Sequence, residues 1–556
     1  MNRVYALFPY CALGLVCALR PIHARATQFI DPVFPDGFEC RTWYPDADGD
    51  GYGNAAGALF VCARPVGYVI RIGDCDDSTA AINPAAADAP DAQFTDSDCD
   101  GVDGTIADGI FVAADGADAD PGTIAAPAKT ITAGLAKAAA AGKHFVYISA
   151  GTYTETVTVD AAHAGIGLHG GYLRVPGWLR DGTRALVNGP RTGTLLVDGI
   201  TTSTIVEYLH FSSAPATLPG SSSYAIVVTS SSGFKPRFLT ATAGNGADGP
   251  QGANAGAAGD DGGDGTTGAN GFEDDSSVFC AGNLTDPPLA YSGGATCAGS
   301  ATSTRGGDGH RGCITNGASC AGTSGDSGTP DPAGTPSDGG LGVSGGAGGN
   351  GKPGTSGAGG SDGSGGSGGM ISGVEWIPVA GGNGTDGSDG TGGGGGAGGG
   401  STHSVGTCQD WGGGGGGGGG GGCHGTGGDG GGGGGASIGI LLIDSAVTAT
   451  NIQVETGNGG DGGAGRDGGT FGPGGLGKSG GNGSDESKGG GAGGNGGNGG
   501  RGGHGGGGAG GWVVGVYRQN STWTDGGTTI ATTGSIGAGG TSSGNPGSAG
   551  TAYVIY

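Results

Sequence analysis

Asp46-Ala47-Asp48-Gly49-Asp50-Gly51 and Asp96-Ser97-Asp98-Cys99-Asp100-Gly101 share one pattern, D-x-D-x-D-G. Carboxylates at alternate positions converge on a hard cation, and the glycine after the third permits a sharp turn. Between the two ladders stands a further acidic segment, Gly73-Asp74-Cys75-Asp76-Asp77. The plain alternative is a solvated acidic face. Two ladders with a third acidic segment between them predict calcium binding instead. Each ladder is half a calcium loop: the twelfth position counted from Asp46 is Gly57, where a full loop carries a bidentate glutamate. Asp74, Asp76 and Asp77 are the candidates to supply the missing carboxylate.

The ladders need a scaffold, and apolar residues are scarce around them. Cys40, Cys62, Cys75 and Cys99 bracket them, and staples of this kind hold small modules together. Four cysteines admit three pairings, of which Cys40–Cys62 with Cys75–Cys99 is the expected one. The strings "WYPDADGDGYGN", "RIGDCDDSTAAINPAA" and "DSDCDGVDG" resemble the metal-binding repeat of MopE-type bacterial surface proteins and, more distantly, thrombospondin type 3 repeats. The likeness covers about residues 40–104. It implies one calcium held by Asp46, Asp48, Asp50 and the Tyr52 carbonyl. It implies a second held by Asp96, Asp98, Asp100 and the Val102 carbonyl, with Asp103 nearby. It does not make the module an EF-hand.

Composition bounds the rest. A formal charge of -26 argues against nucleic acid or an anionic membrane as partner, since both need basic surface. Residues 1–26 read as a secretory signal: Arg3, an apolar stretch from Val4 to Leu19, then the small-x-small triplet Ala24-Arg25-Ala26. Tyr10 and Val16 stand before Cys11 and Cys17, where a lipoprotein signal needs a small residue. No later apolar run approaches the roughly 20 residues of a membrane helix. The remaining ten cysteines suit disulfides in an exported chain. Glycine supplies 146 of 556 residues without the strict third-position register of collagen, so much of the chain has no side chains with which to build an ordinary core.

Residues 105–243 carry most of the Val, Ile, Leu and Tyr. Ile110-Phe111-Val112-Ala113 opens the segment, and Thr130 caps an expected helix to about Ala141 with Ile131 and Leu135 on one face. Short β-branched runs follow at 145–148, 151–153, 156–159 and 166–172, cut by glycine turns. "PGT…P…TI" at 121–131, "VYISAGTYTETVTV" at 146–159 and "LHGGY" at 168–172 resemble the pectin-lyase-like right-handed β-helix proteins of bacterial surfaces. That likeness implies a parallel solenoid whose first coil the helix covers.

From Gly244 the composition changes to glycine with Asp, Asn, Ser and Thr. A repeat nonetheless recurs from Ala225, Gly439 and Gly515: an apolar strand, a polar turn containing Ser, a second strand, then a glycine tract. With a further strand at 370–377 and the closing Ala552–Tyr556, these read as more coils of the same solenoid. Residues 493–504 run GGN-GGN-GGR-GGH, aligning Asn495, Asn498, Arg501 and His504 on one edge of a threefold helix. Packed threefold helices and a disordered linker both remain open for such tracts. Their texture is similar to surface proteins of the PE-PGRS kind, without that family's amino-terminal domain.

An enzyme is the rival reading, because β-helices also host polysaccharide lyases and hydrolases. Asp160, Asp181, Asp198 and Glu207, with Arg174, Arg180 and Arg184, are the candidate groups, but they are scattered, and Arg180-Asp181 reads as an ion pair in a turn. His403, Cys408, Cys423 and His424 suggest zinc, but a Cys408–Cys423 disulfide suits an oxidising compartment better. Cys280, Cys297, Cys313 and Cys320 are expected to staple the long glycine stretch.

The expected protein is therefore mainly β: a right-handed parallel β-helix solenoid with a small disulfide-stapled calcium-binding module and glycine-rich insertions. Its parts are a signal peptide (1–26), an Asp/Cys-rich calcium module (27–104), a β-helix with a capping helix (105–243), a glycine-rich tract with a strand near 370–380 (244–436), and further coils alternating with glycine tracts (437–556). The function expected is that of a secreted or cell-surface bacterial protein with a structural or adhesive role. Its partners are polysaccharide or other surface proteins; the alternative is a secreted polysaccharide lyase or hydrolase.

Overall fold

A computed structural model describes residues 40–272, 289–290, 304–313, 319–329, 339–401, 410–484 and 486–556. The expected signal segment, Cys280, Cys297, His403 and Cys408 lie outside the described residues. The described residues divide into two compact units, one of 40–88 and 96–99, the other of 89–95 and those from 100 onwards.

In the larger unit the short apolar runs form three parallel sheets. The first contains Gly109–Val112, Phe145–Ser149, Gly167–Leu173, Thr204–Glu207, Phe234–Arg237, Ala446–Thr450 and Thr522–Gly526, with Leu179–Thr183 added antiparallel. The second runs from Thr152–Thr154 to Thr529–Ala531, and the third from Val157–Val159 to Ala552–Ile555. The chain visits them in rotation: Thr204–Glu207 in the first leads to Leu209–Ser213 in the second and Ser223–Thr229 in the third, then back to Phe234–Arg237.

The expected repeat is the register of the third sheet. Ile226 pairs with Ile440, and Ile440 with Val516, so the segments starting at Ala225, Gly439 and Gly515 lie side by side. Inward residues alternate along each strand as the pleat requires, and Val157, Val159, Leu195, Val197, Ile226, Val228, Ile440 and Leu442 are all buried in one core. After third-sheet strands, Ser231, Ser445 and Ser521 form a ladder: their hydroxyls accept the N–H groups of Ile200, Ser231 and Ser445 at 2.9–3.0 Å.

Helix α1, Ile131–Ala141, begins at Thr130, whose hydroxyl accepts the Ala133 N–H at 3.1 Å, and ends at Gly142 in the left-handed region. Ile131, Leu135 and Ala138 enter the core beside Ile110 and Val112 of the first strand. A Cβ on Gly134 would overlap the Val112 side chain, so glycine here sets how closely the helix approaches.

The strand at 370–377 departs from expectation. Gly369–Ser372 and Glu375–Pro378 pair with each other antiparallel and join none of the three sheets. Gly373, at φ 61°, lies in the left-handed region, and the tight hairpin turn it forms sends the chain straight back on itself.

The glycine excursions all leave and return at the same place. They depart after second-sheet strands, at Thr242, Glu455 and Ala531, and rejoin at third-sheet strands, at Ser437, Val513 and Ala552. Coil register therefore carries over into the tracts, and the Gly246 N–H donates to Asn458 just as the Gly459 N–H donates to Ser535. Beyond that point the described tracts are ordered as extended chains bonded at every third residue. Gly493, Gly496, Gly499 and Gly502 donate to Lys478, Gly475, Gly472 and Gly469, while Gly494, Gly497 and Gly500 donate to Gly394, Thr391 and Ser388. A threefold extended helix turns successive residues to three directions, so each direction meets a different neighbour.

The run 412–422 is buried and bonded to five neighbouring tracts: it donates to 488–497, 263–269 and 304–313 and accepts from 390–399 and 475–481. A Cβ on Gly419 would overlap the Gly475 carbonyl. This is why the sequence there is uninterrupted glycine, whereas peripheral tracts keep a side chain at every third position. Those side chains complete the array. The Asn495 and Asn498 oxygens accept the Gly477 and Gly474 N–H groups at 2.9 and 3.0 Å, and Asp386, Asn383, Asp362 and Asn350 serve other tracts in the same way.

Candidate metal centre

In the amino-terminal unit, Arg41–Pro45 is the middle strand between Leu59–Val61 and Tyr68–Val69, both antiparallel. The disulfide Cys40–Cys62 closes this sheet and Cys75–Cys99 holds the rest, the expected pairing. The first ladder leaves the strand directly at Asp46, and the Asn54 N–H returns to the Pro45 carbonyl at 3.1 Å. Gly53 then bridges to Ile72, with the Gly53 N–H on Arg71 and the Gly73 N–H on Gly53, which delivers Asp74 to the ladder. A Cβ at Gly53 would press on Pro45 and Tyr44, so this approach requires glycine. Gly49 and Gly51 turn in the left-handed region, at φ 84° and 94°.

Two groups of carboxylates converge: Asp46, Asp48 and Asp50, and Asp48, Asp74 and Asp77, with ligand atoms within 4.8 Å of one another in each group. One oxygen of each is fixed by backbone. Asp46 accepts the Gly49 N–H at 2.7 Å, Asp50 the Tyr52 N–H at 2.8 Å, Asp74 the Asp76 N–H at 2.8 Å and Asp77 the Ala47 N–H at 2.7 Å. The second oxygens of Asp48, Asp50 and Asp74 are buried and have no hydrogen-bond partner among the described residues. Burial first, and then the negative charges of Asp50, Asp48 and Asp77, raise the Asp74 carboxyl above the usual carboxylate range, against the pull of the Asp76 N–H. At such separations two like charges repel by about 3 kcal/mol in an effective dielectric of about 20. An all-oxygen cluster of this kind is suited to a hard divalent cation.

No family model, curated protein or solved structure matches the chain.

The other predicted ligands fall elsewhere. Asp76 is absent from both groups and accepts from the Ser78 hydroxyl and amide. Asp96 and Asp98 form a further group with Asp88, which carries no motif and was not foreseen. The Asn83 N–H on the Ser97 carbonyl helps bring those stretches together. Asp100 belongs to the larger unit, where its carboxylate accepts the Val102 and Ile106 N–H groups. Val102 is buried against Phe111, Tyr147 and Tyr172.

Asp103 is taken up by a buried ion-pair network that sequence reasoning missed. Arg180 donates to Asp103 at 2.9 Å and also pairs with Glu207, which in turn holds Arg237 and, at 2.7 Å, His169. The rings of Tyr208, Tyr172 and Phe94 surround the Arg180 guanidinium at 4.8–5.2 Å. Burial alone would raise Glu207, but the His169 hydrogen bond and the two guanidinium groups outweigh it and bring the carboxyl to about 2. Burial keeps His169 itself low, and therefore neutral near pH 7, so the arginines supply the balancing charge. Arg180 is thus not paired with Asp181, which instead accepts the Thr183 N–H at 2.8 Å. Adjacent residues on a strand point to opposite faces, which is why the expected ion pair in a turn does not form.

The remaining acids considered for catalysis have structural contacts too: Asp160 caps a short helix, and Asp198 accepts the Thr229 hydroxyl. His424 pairs with Asp389, Cys423 is disulfide-bonded, and Cys313 is joined to Cys320. Among the described residues no helix is long and apolar enough to cross a membrane.

Proposed function

We propose that this is an exported calcium-binding protein of the cell surface or matrix, structural and adhesive rather than catalytic. One observation carries the reading: Asp48, Asp50 and Asp74 each bury a carboxylate oxygen that no group among the described residues satisfies. Leaving such oxygens unpaired costs several kcal/mol, and a bound cation removes that cost. Calcium suits the site better than magnesium, because several carboxylates drawn from two loops can fill its larger and less regular coordination shell.

In this reading calcium joins the first ladder to the Asp74–Asp77 loop and gives the disulfide-stapled unit its final order. The rotation through three parallel sheets supports a right-handed parallel β-helix as a rigid scaffold, with the glycine array extending from it. The partners are polysaccharide or other surface proteins, and the disulfides accord with export through a signal peptide. The test is calorimetric titration of the full chain, disulfides intact, with calcium and with magnesium. Calcium uptake that is lost in Asp48→Ala/Asp74→Ala is the expected result. An unchanged isotherm in that variant sinks the reading.

A further inference from the structure

The amino-terminal unit has a second feature that the metal cluster does not use. Arg41, Trp43, Arg64, Val69 and Arg71, with Gly51 at the edge, line an open hollow of about 260 Å³. Arg64 is preset: its Nε donates to the Tyr68 carbonyl at 2.8 Å and its guanidinium lies 6.0 Å from the Trp43 ring centroid. Arg71 lies over Tyr52 at 5.4 Å. The chain has 49 acidic and 23 basic residues, yet among the described residues no carboxylate pairs with Arg64 or Arg71. Ile70, also in the wall, is exposed by 52%.

We propose that this hollow binds an acidic polysaccharide, with uronate carboxylates on Arg64 and Arg71 and the apolar face of a sugar ring against Trp43. Arginine recognises a planar carboxylate through paired N–H donors, and an aromatic ring supplies flat apolar contact beside it. The volume lies just below the roughly 300–1,000 Å³ of sites that enclose a small molecule, which suits one residue of a longer, open-ended chain. A densely charged polyanion would be repelled by the acidic protein as a whole. A uronate polymer, with its carboxylates spaced apart, is repelled far less.

The inference rests on the binding role proposed above and adds a regulation. Gly51 belongs both to this wall and to the first aspartate ladder, so calcium in the cluster removes negative charge beside the arginines and strengthens anion binding.

The experiment titrates the full chain with a hyaluronate decasaccharide, with and without calcium, beside a neutral dextran of equal length and phosphatidylglycerol vesicles. Hyaluronate binding that strengthens with calcium, weakens with salt and falls roughly ten-fold or more in Arg64→Gln/Arg71→Gln is expected. Both arginines are exposed, so this variant keeps the fold, which unchanged calcium uptake verifies. Equal affinity in the variant, equal binding of dextran, binding to vesicles alone, or no binding overturns the proposal. The two readings fail separately. Calcium uptake without hyaluronate binding removes only the hollow, while hyaluronate binding without calcium uptake removes the metal reading and the regulation.

Discussion

Ligand oxygens of Asp48 and Asp74, on different loops, lie within 4.8 Å of each other, and each residue also buries one oxygen that has no hydrogen-bond partner among the described residues. Without a cation this pair opposes folding; the cation proposed above would join the two loops. Asp74→Asn removes one charge at nearly constant shape. It is expected to raise the melting temperature of the amino-terminal unit in chelator and to abolish the further rise on adding calcium. Differential scanning calorimetry of both forms checks this, and a lower melting point in chelator would contradict it.

The same residue sets a pH dependence. Asp74 titrates higher folded than unfolded, so its contribution to stability is fully present below the unfolded carboxylate pKa and is lost as pH rises through the raised value. In chelator, urea unfolding of the unit should therefore become easier on moving from acid towards neutral pH. With calcium the trend reverses, because the metal needs the deprotonated form.

Glu207 has the opposite sign. Its folded carboxyl, at about 2, lies below the ordinary value of 4.5, so its contribution persists above 4.5 and disappears as pH falls towards 2. That shift corresponds to roughly 3 kcal/mol. Glu207→Gln leaves Arg180 buried with one carboxylate partner fewer and is expected to cost about 3–5 kcal/mol at neutral pH. Urea denaturation at pH 7 and pH 3 tests both statements: the difference between wild type and variant should shrink at the lower pH.

The glycine array predicts a contrast between positions. Gly419→Ala places a methyl group on the Gly475 carbonyl and should open the tracts around 412–422, read as faster amide exchange across 469–481. Arg501→Ala, at an exposed third position, should leave exchange there unchanged.

Asn495→Ala and Asn498→Ala each remove the acceptor of one glycine N–H and should cost about 1 kcal/mol apiece, additively if the two sites do not share a partner. Chemical denaturation of the two single variants and the double variant gives the answer.

The parts of this architecture that depend on local pattern were readable from the sequence. The Thr130 cap, the β-branched runs and the segments starting at Ala225, Gly439 and Gly515 fixed strands, helix and register together, because alternation and capping act within a few residues. Gly373 was the signal that 370–377 turns back as a hairpin, and one glycine among 146 is easily passed over. Asp46, Asp48 and Asp50 announced themselves by spacing, and Asp74 and Asp77 by composition. Asp88 carries no such mark, and the Arg180–Glu207–Asp103 network joins residues that only the stacking of coils brings near. The role of asparagine in the glycine tracts was hidden for the same reason: its partner lies on another tract.

The 412–422 run is held by amide-to-carbonyl bonds and almost no buried carbon. Opening such a region hydrates peptide groups rather than hydrocarbon, so its heat-capacity increment is small or negative, unlike that of the three-sheet core. Its stability should therefore follow a nearly straight line that rises on cooling, instead of the dome of an apolar core. On cooling, where apolar cores weaken, the glycine lattice should become the more durable part of the molecule.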